Sequence, residues 1–163
     1  MIIEARHCLG IDVVSDHGRA IGKLDRLVIN GQKLQVVGAQ VVGNKLFKNF
    51  HGVFFNDIVQ FERLGMLVKA VPPKTNLKEL DLISARYGSL FGTKAVTESG
   101  QTLGKITDYY FDSETGIIVR LVVKKFLGER IIPRQFVVSV GPKTVVFQDV
   151  VIEPHFDQAV AQA

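Results

Sequence analysis

A single cysteine, Cys8, stands in 163 residues, so no internal disulfide can form and a reducing compartment is expected. Long apolar runs are missing as well. Those present, such as Val13-Val14, Ile117-Ile118-Val119 and Val137-Val138, fall far short of the ~20 residues a membrane-crossing helix needs. The opening Met1-Ile2-Ile3-Glu4 has neither a basic patch nor a long apolar stretch with a cleavage site. No secretory signal is therefore expected, and a cytoplasmic location is. Charged residues are few, at 22%, against 47% hydrophobic, which excludes a disordered chain and supplies a packed core. The chain is also too short for a barrel of eight strands and eight helices.

Residues able to carry catalysis are equally sparse. His7, His17, His51 and His155 are scattered without the paired spacing of a zinc site. Cys8 has no partner constellation and reads as a buried structural thiol. Asp108, Asp112 and Glu114 do not follow a calcium-loop spacing, and Asp112-Ser-Glu-Thr-Gly116 has the composition of a turn. Gly100-Gln-Thr-Leu-Gly104-Lys105-Ile106 superficially resembles a phosphate loop. It has three residues between its glycines instead of four, and isoleucine where Mg²⁺ needs Ser or Thr. The expectation is a protein that is not an enzyme and has no metal or cofactor.

Positive charge is unevenly spread. Residues 1–80 hold eleven Lys/Arg against seven Asp/Glu, whereas residues 81–163 hold nine of each. That is a mild lean toward an acidic surface or nucleic acid, well below the density of a dedicated nucleic-acid binder.

The same module occurs twice. A shift of 82 lays Gly10, Val14, Gly18, Gly22 and Lys23 on Gly92, Val96, Gly100, Gly104 and Lys105. A shift of 81 then matches Val36-Val37 and Val41-Val42 with Ile117-Ile118 and Val122-Val123. A shift of 78 matches Val53-Phe54 and Ile58-Val59 with Ile131-Ile132 and Phe136-Val137. Conserved order with changing loop length is the mark of internal duplication. Each copy reads as short strands. Asp16-His17-Gly18 and Glu98-Ser99-Gly100 suit tight hairpins with a left-handed glycine. Strands are expected over 26–30, 34–42, 106–111 and 117–123. Gly22 and Gly104 permit a sharp bend, and Pro133 ends the strand containing Ile131-Ile132. Between the copies, Pro72 and Pro73 stop a strand, and Asn76 with Glu79 forms a capping box for a brief helix. The expected organisation is one repeat over 1–72, a linker over 73–89, a second repeat over 90–152 and a tail over 153–163. The tail reads as weakly helical at best. At this size a single core is marginal, so the two repeats are expected to pack together.

The pattern of Phe91, Gly92, Val96, Gly100, Gly104, Lys105, Ile106, Asp108, Thr115, Gly116, Leu121, Val123, Ile131, Pro133 and Val137 resembles the PRC-barrel family. That family includes the cytoplasmic domain of the photosynthetic reaction-centre H subunit and the C-terminal domain of the ribosome maturation factor RimM. In the first copy Arg26 stands in place of Asp108, and Phe55 in place of Pro133. The resemblance implies an all-β fold of two tandem small barrels serving as interaction platforms, and it carries no catalytic residues.

Two loops stand out. One runs Gly43-Asn-Lys45-Leu-Phe47-Lys48-Asn-Phe50-His51-Gly52, and the other Lys124-Lys125-Phe126-Leu127-Gly128-Glu129-Arg130, three residues shorter. Both alternate cations with aromatic or aliphatic side chains, which suits a protein surface or a nucleic acid. Lys45, Phe47, Lys48, Phe50, Lys124, Lys125 and Phe126 are the candidate partner-binding residues. The opposing reading tucks the aromatics inward between the barrels. The expected function is a non-catalytic adaptor for a protein partner, at a membrane-associated complex in one version. The alternative is an RNA- or ribosome-associated assembly factor, and self-association stays open.

Overall fold

The structure is a computed structural model that describes residues 1–43, 46 and 49–162. The chain is mostly β, in two mixed sheets. After a short strand β1 (Ile2–Glu4) and a single helical turn α1 (Ala5–Cys8), the first module holds β2 (Asp12–Ser15), β3 (Ala20–Asn30), β4 (Gln35–Val42), β5 (Phe50–Phe54), β6 (Ile58–Phe61) and β7 (Gly65–Val68). Helix α2 (Thr75–Tyr87) follows. The second module holds β8 (Lys94–Thr97), β9 (Thr102–Asp112), β10 (Ile118–Lys125), β11 (Gly128–Pro133), β12 (Val137–Val140) and β13 (Thr144–Phe147), and α3 (Phe156–Gln162) closes the chain.

The strand orders are β5-β4-β3-β2-β7-β6 and β11-β10-β9-β8-β13-β12, one order repeated six strands later. In each module the first strand along the chain pairs parallel with the last, β2 with β7 and β8 with β13. Among the described residues no ladder joins the end strands β5 and β6, or β11 and β12, so neither sheet is a closed barrel. The bulges repeat too, at Val13/Val14 and Ala95/Val96, and at Leu24/Arg26 and Val122/Val123.

Each module begins with the same hairpin. Gly18 and Gly100 take φ of +77° and +86°, and Arg19 and Gln101 amides donate to Ser15 Oγ and Thr97 Oγ1, both at 3.1 Å. Gly22 and Gly104 have a stronger reason than a bend. A Cβ at Gly22 would lie 2.0 Å from the carbonyl oxygen of Val42, and one at Gly104 would lie 2.2 Å from that of Lys124. Only glycine lets the neighbouring strand come this near.

The structural offset is 82 as far as β4 and β10, since Val28↔Gly38 becomes Tyr110↔Arg120. It is 79 afterwards, because the 3-10 turn at Phe55–Asp57 becomes the one at Arg134–Phe136. The shifts of 81 and 78 read from the sequence are each one residue short. Consecutive apolar pairs fit either register, and only burial decides between them. Val53 and Ile132 are fully buried while Ile131 is 42% exposed. Phe54, not Phe55, therefore stands opposite Pro133.

Two elements are larger than the sequence implies. Helix α2 has 13 residues and starts at Thr75 after Lys74, with no side-chain cap. Asn76 is instead buried, and its amide donates to the Pro73 carbonyl at 3.2 Å. The tail forms α3, because Phe156 packs edge-on against Phe136 at 4.9 Å. Arg130 also reaches this tail, pairing with Asp157 at 3.2 Å.

The modules meet through an internal pseudo-two-fold relation. Val36 N–H donates to the Gly116 carbonyl at 2.8 Å, and Ile118 N–H donates to the Leu34 carbonyl at 2.9 Å. These are mates under the 82-residue shift, centred on an antiparallel bridge between Gln35 and Ile117. Leu34 and Gly116 both have positive φ, +46° and +74°. The covering segments are exchanged. β1, ahead of the first module, pairs with β9 of the second. α2, ahead of the second module, lies on β3, β4 and β5 of the first. Arg26 secures α2 by donating to Ser84 Oγ at 2.8 Å and pairing with Asp81. At the matching position, buried Asp108 secures α1 by accepting from the Arg6 amide at 3.1 Å. One hydrophobic core spans both modules, with Phe61 meeting Phe111 edge-on at 5.5 Å.

Candidate functional site

The β10–β11 hairpin closes on a two-residue tip. Lys125 faces Gly128 and Lys124 faces Glu129 in the ladder, leaving Phe126 and Leu127 at the turn. These two side chains are 93% and 91% exposed. The inward reading of the aromatics therefore fails at Phe126. Lys124 is exposed as well, and Lys125 Nζ donates to the Thr102 carbonyl at 3.2 Å, which holds the base of the tip. Beside the tip runs a groove of about 440 Å³ lined by Leu103, Val123, Phe126, Leu127, Arg130 and Ile152. Arg130 is already committed, donating to the Val151 carbonyl and pairing with Asp157 over the Phe156 ring. The rest of the groove is mostly apolar, with Gln101, Thr102 and Lys125 at its side.

The matching hairpin of the first module is β4–β5. Val42 faces Phe50, and Gly43 N–H donates to the Asn49 carbonyl at 2.7 Å. Phe50 is exposed at the strand edge, at 36%, and Leu46 is almost fully exposed. Lys45, Phe47 and Lys48 lie outside the described residues. The three-residue difference in loop length read from the sequence holds, since the offset falls from 82 to 79 across this loop.

Phe50 and Phe126 do not share one surface. The bridge between Gln35 and Ile117 is antiparallel, so β4 and β10 leave it in opposite directions. Each strand has eight residues, a reach of about 25 Å at roughly 3.3 Å per residue. Phe50 and the group Lys124, Lys125 and Phe126 therefore lie at opposite ends of the molecule.

The remaining polar candidates have structural work. The Cys8 thiol is buried and donates to the Glu4 carbonyl at 3.4 Å. Burial first, then the carboxylates of Asp108 and Glu4, push its pKa up to about 12, so it is not a ready nucleophile. Asp112 Oδ1 accepts from the Glu114 and Thr115 amides and from Thr115 Oγ1, at 3.0, 2.9 and 3.0 Å. That is a turn, as its composition implies. Sequence reasoning missed Leu127, since a leucine beside a phenylalanine gives no sign of which one the hairpin will expose.

Residues 83–152 match the family model of the PRC-barrel domain. The match covers β8 through β13 and the last turn of α2. The likeness of the first module rests on its strand order and register. No curated protein matches the chain.

Proposed function

We propose that the chain is a non-catalytic adaptor, built from two PRC-barrel-type modules, that holds a protein partner at the β10–β11 hairpin. The observation that carries this is the tip itself, with Phe126 and Leu127 over 90% exposed beside an apolar groove. Large apolar side chains held outward on a hairpin have a cost in water that a partner's pocket removes. Burying each contributes about 1.5–3 kcal/mol. Lys124 and Lys125 give the rim a positive sign and favour an acidic surround on the partner.

A pull-down from the native host, with and without RNase, tests the reading. The Phe126→Ser/Leu127→Ser variant is expected to keep its fold and lose the captured protein by roughly 100-fold in affinity. Capture that depends on RNA and falls steeply with salt through Lys124 and Lys125 would favour the RNA- or ribosome-associated alternative.

A further inference from the structure

Among the described residues each sheet ends in a four-residue strand with one unpaired side, β6 in the first module and β12 in the second. A cleft runs along each. That along β12 is about 540 Å³ and is lined by Arg134, Arg86, Tyr87, Val137, Val138 and Ser139. That along β6 is about 620 Å³ and is lined by Val59 and Gln60, which match Val138 and Ser139, and by Glu62, Ser113 and Glu114. The shape is repeated but the charge is inverted. Among the described residues no carboxylate lines the β12 cleft, while the β6 cleft holds the N-terminal amine, which pairs with Asp112 at 3.3 Å, and Lys69 Nζ at its edge, donating to the Asn56 carbonyl at 2.7 Å.

Among the described residues neither Arg86 nor Arg134 has an ion-pair partner. Arg86 rests over the Tyr87 ring at 5.4 Å, and Arg134 donates to the Lys33 carbonyl at 3.2 Å. Both guanidiniums are thus held at the cleft with donors to spare. Val138, about half exposed, presents an apolar side chain beside them. Free strand backbone gives main-chain hydrogen bonds to an extended segment, and flanking pockets choose its side chains. Arginine binds carboxylates with paired, charge-assisted hydrogen bonds.

We propose that β12 is a docking edge for an extended acidic peptide segment, which adds as a further strand and places carboxylates against Arg86 and Arg134. This site is separate from the hairpin of Phe126 and does not depend on it.

The test uses the full chain and two labelled probe hexapeptides, one alternating Glu with Val and one alternating Lys with Val, read by fluorescence anisotropy and amide hydrogen exchange. Saturable binding of the acidic probe is expected, with slowed exchange at Val138 and Val140 and a tenfold or greater loss in Arg86→Glu/Arg134→Glu. The milder Arg86→Gln/Arg134→Gln pair should lose most of that affinity while melting with the wild type, which separates a lost contact from a lost fold. Phe126→Ser/Leu127→Ser should bind the acidic probe unchanged, so failure here is distinct from failure of the hairpin reading. No saturable binding, equal binding of the Lys probe, protection elsewhere than β12, or a β12 edge already occupied by a second copy in sedimentation would each overturn the proposal.

Discussion

The two modules share one strand order and one set of bulges, yet they differ wherever something covers them. In the first, Gly38 and Gly52 lie under α2, and a Cβ at Gly52 would come 2.6 Å from the Leu77 amide nitrogen. In the second, the matching positions are Arg120 and Ile131, and no long helix can approach. A groove of about 640 Å³ remains there between the sheet and α3, bordered by Arg120, Ile131, Pro133, Phe156 and Val160. Duplication kept the inner positions apolar and released the outer ones. What a strand pair needs for its own register is repeated, and what faces a neighbour has diverged.

The largest effect should come where the modules agree. Gly22→Ala and Gly104→Ala each force a methyl group onto a backbone oxygen, at 2.0 and 2.2 Å, and should cost about 3 kcal/mol or more. Near-equal losses in urea unfolding would support equivalence of the modules, and a large loss in only one would break it.

Next comes a position where they differ. Gly52→Ala should cost about 1–3 kcal/mol by pushing α2 off the sheet. Its counterpart Ile131→Ala should cost less than about 1 kcal/mol, because Ile131 is 42% exposed. A calorimetric comparison of the two checks the asymmetry.

A smaller change should stabilise. Tyr109 is fully buried and its hydroxyl has no hydrogen-bond partner among the described residues, whereas the first module has Leu27 at that position. Tyr109→Phe removes an unsatisfied polar group and should raise stability by about 1 kcal/mol. A drop of that size in the thermal melt would mean the hydroxyl is satisfied.

The smallest effect is in pH. Hydrogen bonds from Thr115 and Glu114 hold the Asp112 carboxyl below its ordinary value of 3.8. A folded-state value below the unfolded one gives stability that is present above the unfolded value and lost as pH falls through the folded one. The matching turn residue, Asn30, accepts from the Lys33 amide at 3.1 Å without carrying a charge. Asp112→Asn should therefore flatten the acid limb of the stability curve, and Asn30→Asp should steepen it.

Much of this fold was legible in the sequence because the repeated signals are steric and local. Glycines at Gly18/Gly100 and Gly22/Gly104 are required by backbone geometry, so duplication preserved them at constant spacing. The register beyond Val36 was not legible, since paired valines and isoleucines satisfy either alternation. Helix α2 was underestimated because its stability lies in Leu80, fully buried against Gly38, a contact 42 residues away in sequence. The site was half legible. Lysine and aromatic residues marked both loops, but the antiparallel bridge at Gln35 and Ile117 that sends Phe50 and Phe126 to opposite ends is a tertiary fact. Nor could the opposite charges of the twin clefts be read, because each cleft draws residues from both modules.

The most direct test of the hairpin as a docking point is a photo-crosslinking residue at Phe126, with Leu64, itself 89% exposed, as the control position. In native-host extract the account expects a discrete protein adduct at position 126 that survives RNase and is absent at 64. Equal adducts at both positions, or an adduct at 126 that RNase abolishes, would contradict it.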